Sequence, residues 1–161
     1  MSQIRWMGVD LGEARVGLAL SDPELTLAHP AGNIEVSGDY FQAFNQVIEC
    51  CEQESVTRIV VGYPLLLSGE EGHSAKKAKR WSKSLTRQLK ELASKGQLML
   101  VEVPEVELKD ERLTTVSAHR QLIEAGLGNR QHRPKVDQQS AVVLLQAALD
   151  EFAQTRRSNI A

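Results

Sequence analysis

Acidic side chains at three places in this chain could do chemistry together: Asp10, the adjacent pair Asp110-Glu111, and Asp137. Asp10 interrupts an apolar run in Gly8-Val9-Asp10-Leu11-Gly12. A carboxylate near the middle of a sheet is costly unless a cation compensates it. The plainer reading is a turn aspartate that bonds the backbone ahead of a hairpin. Asp110-Glu111-Arg112 leads into Thr114-Thr115, residues suited to capping a helix. Neighbours on an extended backbone point to opposite sides, so only one of the two acids can face a shared site, and ordinary helix-start acidity would also account for them. Asp137 opens the last helical stretch and by itself reads as an N-terminal cap. Each position falls at a strand end or a helix start, where distant parts of a chain converge on one edge of a sheet. Three converging carboxylates repel one another unless cations fill the gap. Hard divalent ions such as Mg²⁺ or Mn²⁺ suit oxygen ligands, and Mg²⁺ keeps waters that leave room for phosphate oxygens. Two such ions can activate a water and stabilise the leaving oxygen of a phosphodiester.

The elements that must position these acids can be read from periodicity. Residues 4–11 and 16–20 form two apolar runs around a turn at 12–14, which predicts an antiparallel hairpin. Turn residues dominate to about Gly32, and a third strand is expected at 34–36. Asp39 is positioned to cap a helix to about Gln53, with Phe41, Phe44, Val47, Ile48 and Cys51 on one face. Residues 58–62 predict a buried strand stopped by Pro64, and 98–103 predict another. Between them, residues 74–95 carry Ala78, Trp81, Leu85, Leu89 and Leu92 on one side of a helix and Lys76, Arg80, Lys83, Arg87 and Lys90 on the other. A helix is expected at 114–125, a polar and basic loop at 128–135, and a buried helix from Asp137 to about Ala153. The expected fold class is α/β, a mixed central sheet opened by an antiparallel hairpin with helices on both faces. It is not a Rossmann unit, since a hairpin replaces the first crossover helix and GxGxxG is absent.

Composition sets the scale. The chain has 161 residues, 42% hydrophobic and 25% charged, which predicts one soluble domain over 1–155 and a short tail at 156–161. A domain of this size buries roughly 70% of its unfolded surface and needs neither disulfides nor structural metal. Cys50 and Cys51 are adjacent, which suits neither a disulfide framework nor a spaced zinc site and predicts packing in or beside the first helix. No apolar run approaches a membrane span and the start of the chain lacks a signal pattern, so a cytoplasmic location without membrane association is expected. His29, His73, His119 and His132 show no metal-ligand spacing, and Trp81 is expected in the core.

The net charge of −2 conceals a polarised distribution. Residues 74–95 carry +7 and the remainder −9. A charge run is often only a solvated face, but so lopsided a helix suits a phosphate backbone. Arg130, His132, Arg133 and Lys135 form a second basic cluster just before Asp137, and Arg15 and Arg112 sit where they could meet phosphate beside the acids.

Four segments together resemble one family. Gly8-Val9-Asp10-Leu11-Gly12-Glu13-Ala14-Arg15-Val16-Gly17-Leu18-Ala19, Val60-Val61-Gly62-Tyr63-Pro64, Asp110-Glu111-Arg112-Leu113-Thr114-Thr115 and Lys135-Val136-Asp137 with 141–146 resemble, in order and spacing, the YqgF/RuvX family. The resemblance implies an RNase H-like fold and a metal-dependent nuclease that matures the 5′ end of 16S ribosomal RNA, a family formerly discussed as Holliday junction resolvases. By the same resemblance Asp10, Glu111 and Asp137 hold Mg²⁺ or Mn²⁺ at the scissile phosphate, with Glu111 preferred to Asp110. The chain departs from the family at Leu65-Leu66-Leu67-Ser68-Gly69, where an Asn or Asp is common before the glycine, and at Ser140, where an alanine is common.

Three functions follow from these residues. The first is a nuclease for structured RNA, associated with pre-ribosomal particles. The second is a resolvase for branched DNA, which would act as a symmetric homodimer rather than a monomer. The third is a non-catalytic nucleic-acid-binding ribosome-assembly factor that uses Lys76, Arg80, Lys83 and Arg87 while the acids serve as caps. An actin-like kinase is a poor fourth reading, because 161 residues cannot supply its second lobe.

Overall fold

The computed structural model describes residues 4–37, 39–111 and 133–160, with the side chains at 133–138 and 158–160 outside that description. Strands β1 (Arg5–Leu11), β2 (Arg15–Ser21), β3 (Ala28–Glu35), β4 (Val56–Tyr63) and β5 (Glu105–Asp110) form one sheet in the order β3-β2-β1-β4-β5. The first three pair antiparallel, while β4 pairs parallel with both β1 and β5. The expected hairpin and mixed sheet are both present.

Central strand β1 is buried on both faces, and its alternation sorts the two layers. Met7 and Val9 join a core with Phe44, Val47, Ile48 and Cys51 of α1 (Phe44–Glu54) and Ala78, Trp81, Leu85 and Leu89 of α2 (His73–Ser94). Trp6 lies on the opposite face, with Ala19 and Val60, under Ala141, Leu144, Leu145, Ala148 and Leu149 of α3 (Arg133–Ile160). Cys51 is fully buried and Cys50 half-buried, both as free thiols, and burial pushes both thiols up. No described helix is long and apolar enough to cross a membrane.

Helix α3 reaches the sheet through a glycine. A Cβ on Gly8 would lie 2.8 Å from the Ala141 carbonyl oxygen and 2.9 Å from Leu145 Cβ. Backbone cannot swing aside as a side chain can, so Gly8→Ala must lift α3 from the sheet. The expected cost is about 2–3 kcal/mol, a fall of roughly 5–10 °C in melting temperature for a chain of this size. Calorimetry checks this, and an unchanged transition would mean that the close approach is not maintained in solution.

Several boundaries differ from the periodic reading. The strand expected at 98–103 is not one: Met99 and Val101 are 77% and 97% exposed, and β5 begins after Pro104. The true edge strand is polar on one face, where Arg58 of β4 pairs with Glu105 at 3.0 Å and Glu107 at 2.8 Å, while Val106 and Leu108 pack against the α1/α2 core. Charged residues suit an edge, and they hide the strand from a search for apolar runs. Strand β3 is longer than the expected 34–36, because its early residues are held by pairing to β2 rather than by apolar burial. Asp39 caps as expected, but it caps a 3₁₀ turn (Tyr40–Ala43) ahead of α1. Three residues per turn rotate Phe41 off the helical stripe and leave it 47% exposed. Residues 133–135 begin α3 instead of ending a loop, with Pro134 in the first turn where its missing N–H costs nothing, and the helix runs on through 156–160. The expected helix at 114–125 and the loop at 128–132 lie outside the described residues.

Candidate active site

Parallel strands bring two of the acids to one edge. Val9 of β1 is in register with Val61 of β4, so Asp10 follows beside Gly62. Tyr63 of β4 is in register with Asp110 of β5, and Glu111 is the first residue past that strand. The backbone N–H of Glu111 still donates to the Tyr63 carbonyl at 3.3 Å. Asp10 and Glu111 are 3% and 4% exposed, whereas Asp110 is only half-buried.

The face each acid takes follows from strand alternation. Val106 and Leu108 pack toward the α1/α2 layer, so Asp110 falls on that side, and its charge contributes to raising the Tyr63 pKa. The Glu111 carboxylate instead lies over Gly62 on the α3 side. A Cβ on Gly62 would collide with Glu111 Oε1, and would stand 3.1 Å from Glu111 Cδ and 3.5 Å from Leu144 Cδ2. Asp10 and Gly8 alternate onto that same α3 side. Both carboxylates thus lie on the α3 side of the sheet, and the missing side chain of Gly62 is what makes room for that of Glu111.

Helix α3 runs opposite to β1. The Phe152 and Trp6 rings meet at 5.0 Å near the start of the strand, and the Ala141 backbone abuts Gly8 two residues before Asp10. Position 137 is one helical turn earlier than Ala141 on the same stripe, toward the Asp10 end. The Asp137 side chain itself lies outside the described residues, as do those of Arg133 and Lys135, while Arg112 and Arg130 are not described at all. Among the described residues no group of three His, Cys, Asp or Glu side chains could hold a metal ion. Carboxylate oxygens such as those of Asp10 and Glu111 are hard donors, which suit a hard divalent cation and not a soft one.

Gly17 stands opposite Asp10 across the hairpin, and Arg15 follows one repeat further on the same face, with Nε 3.8 Å from Glu35 Oε1. That pair is largely solvent-accessible on the Glu35 side, so it leaves Arg15 able to exchange partners. The basic face of α2 is where periodicity put it: Lys76, Arg80, Lys83, Arg87 and Lys90 are all exposed. It belongs, however, to the layer opposite α3. Helix α2 starts at the edge that carries the acids and runs back along β4, so Lys90 lies about 21 Å along the axis from Lys76. Lys76 and Arg80 are therefore the members nearest the carboxylate edge.

Tyr63, at the end of β4, anchors the start of α2. Its hydroxyl donates to Glu71 Oε2, which also stands 3.6 Å from Lys79 Nζ. The Tyr63 hydrogen bond, followed by the Lys79 charge, holds Glu71 below its usual range, and the same bond raises Tyr63. A depressed carboxyl stabilises the fold above its ordinary pKa, and that contribution is lost as pH falls through the lower folded value. Tyr63→Phe should therefore return Glu71 toward its ordinary 4.5. Carbon-detected carboxyl NMR reads this directly, and an unmoved Glu71 titration would rule the hydrogen bond out as its cause. Beyond Tyr63, the Leu65-to-Gly69 turn leaves Leu66 and Leu67 52% and 80% exposed. Ser140 is buried in α3, where a small side chain fits. Periodicity missed Gly62 altogether, because its signal is the absence of a side chain.

Residues 4–151 match the family described as RuvX, Holliday junction resolvase. A protein of Bifidobacterium adolescentis is 61% identical over 145 residues, covering 90% of this chain and 96% of the relative. One from Ruminiclostridium cellulolyticum is 33% identical over 155 residues, covering 96% and 100%. Both are named "Putative pre-16S rRNA nuclease". Among solved structures, Thermus thermophilus RuvC in complex with a Holliday junction substrate aligns with a TM-score of 0.53 at 13% identity, over 94% of this chain and 96% of that one. That likeness is one of fold, the RNase H-like arrangement of a mixed five-stranded sheet.

Proposed function

The chain belongs to the RuvX family and is a nuclease that hydrolyses phosphodiester bonds; from that premise we propose that it acts in the cytoplasm on structured RNA, trimming the 5′ end of precursor 16S ribosomal RNA with a divalent cation. The observation that carries the reading is a pair of buried carboxylates on the α3 side of the sheet at the carboxyl ends of parallel strands, Asp10 in β1 and Glu111 just past β5 over Gly62. Asp10, Glu111 and Asp137 would hold Mg²⁺ or Mn²⁺. When bound, the cation supplies Lewis acidity that activates a water and offsets charge on the leaving oxygen.

The chain's own residues supply the remainder. Gly62 leaves room for the Glu111 carboxylate on the face that Asp10 shares. Arg15, on the Asp10 face, and Lys76 and Arg80, exposed at the start of α2, would bind backbone phosphates on either side of the sheet edge, with Lys83 and Arg87 reached only by a longer substrate. Arg112, Arg130, Arg133 and Lys135 extend that role by their position in the sequence. The names of the relatives favour pre-ribosomal RNA; the family description favours four-way DNA as the second reading.

A side-by-side cleavage assay decides between them: precursor 16S rRNA and a four-way DNA junction, each with Mg²⁺, with Mn²⁺ and with EDTA. Cleavage of the RNA alone, lost in EDTA, supports the proposal. Cleavage of the junction alone, by a species of dimeric mass, overturns it in favour of the second reading.

A further inference from the structure

The 3₁₀ turn that displaces Phe41 also opens a cavity of about 240 Å³ against the first turns of α2, with Tyr40, Phe41, His73, Lys77 and Arg80 in its walls. The aromatic parts are held in place. The Phe41 ring meets Phe44 edge-on at 5.3 Å and 82°, and Phe44 in turn packs 5.3 Å from the buried Trp81. Tyr40 is fixed at both ends: its carbonyl accepts the Trp81 indole N–H at 2.9 Å, and its hydroxyl donates to the Glu13 carbonyl at 2.7 Å. Lys77 Nζ sits 4.0 Å over the Tyr40 ring. Lys77 and Arg80 form no ion pair among the described residues, whereas the neighbouring Lys79 is paired with Glu71. Asp39, the acid in the lining, is engaged with the Phe41 backbone N–H at 3.0 Å.

An exposed aromatic face on a rigid support, flanked by cations, has the chemistry of a nucleotide site: every base offers a π face to a ring, and the phosphate beside it needs positive charge. The Glu13 contact ties this cavity to the hairpin that carries Asp10, and α2 begins at the same sheet edge. We propose that the Phe41 cavity receives one nucleotide of a single-stranded segment flanking the scissile phosphate, its base stacked on Phe41 and its phosphate held by Lys77 and Arg80. The placement of this nucleotide beside the scissile phosphate rests on the nuclease reading; the binding site stands on its own geometry.

The test measures fluorescence anisotropy of a short labelled single-stranded RNA, and of a duplex of the same length, in EDTA so that nothing is cleaved. Phe41→Leu keeps an apolar side chain but removes the ring; it should weaken single-strand binding about tenfold while the duplex changes less than about twofold. Phe41→Trp should preserve or tighten single-strand binding, which keeps the test valid if the leucine variant folds poorly. Arg80→Gln, at an exposed position, should weaken single-strand binding several-fold. Photocrosslinking of bromouridine-containing RNA to the parent protein should mark Phe41 or Tyr40. Unchanged single-strand affinity in Phe41→Leu, equal losses for single strand and duplex, or crosslinks confined elsewhere would overturn the proposal. A parent that binds through Phe41 but cleaves no RNA would sink the nuclease reading and leave this site standing; normal cleavage with Phe41-independent binding would do the reverse.

Discussion

Asp10→Asn should lower metal-dependent cleavage by about 10³-fold or more while melting within a few degrees of the parent. The substitution changes charge and almost nothing in shape. Asp10 is buried in the central strand among residues already packed on both faces, so the neutral amide fits the same space. What it removes is one of the two buried carboxylates on the α3 side of the sheet, and a hard divalent cation would depend on that charge. Calorimetric titration with Mn²⁺ should show the site weakened or lost in the variant. Asp110→Asn is the matched control: Asp110 falls on the α1/α2 side of the sheet, so its loss should leave both cleavage and Mn²⁺ binding largely intact. Undiminished cleavage by Asp10→Asn would remove this residue from the catalytic set, and with it the reason for placing the reaction at this edge.

Gly62→Ala should be nearly as damaging to activity, by a different route. The added methyl group would occupy the space of Glu111 Oε1, so the carboxylate must leave its place over the glycine. The group that yields is the end of a flexible side chain, whereas at Gly8 it is the backbone of α3. The fold should therefore lose only about 1 kcal/mol, while cleavage falls by about 10²-fold or more as the second carboxylate swings away from Asp10. A Gly62→Ala protein with parental activity would show that Glu111 works from elsewhere. A Gly62→Ala protein as unstable as Gly8→Ala would show that the crowding reaches α3 after all, through Leu144, whose Cδ2 lies 3.5 Å from the added carbon.

Long periodic elements are legible in the sequence itself. The α2 stripe of Ala78, Trp81, Leu85 and Leu89 is buried, and the five cations opposite it are exposed, because a helix longer than five turns leaves little freedom in its phase. Short or polar elements are not. Strand β5 is held by parallel pairing and by Arg58, neither of which marks its own sequence, and the apolar run at 98–103 that imitated it is a connection. Phe41 belonged to the α1 stripe by count, and was turned outward by a change of pitch within one turn.

By itself the sequence determined the fold class, the hairpin that opens the sheet, the polarised charge of α2 and the short roster of acids, since periodicity, charge and motif spacing are properties of the chain in one dimension. Tertiary structure alone decided that Glu111 and not Asp110 shares a face with Asp10, that bare Gly62 leaves the room the Glu111 carboxylate occupies, and that the basic helix lies on the layer opposite α3. Those are questions of which side of a sheet an atom lies on, and register between strands far apart in the chain answers them.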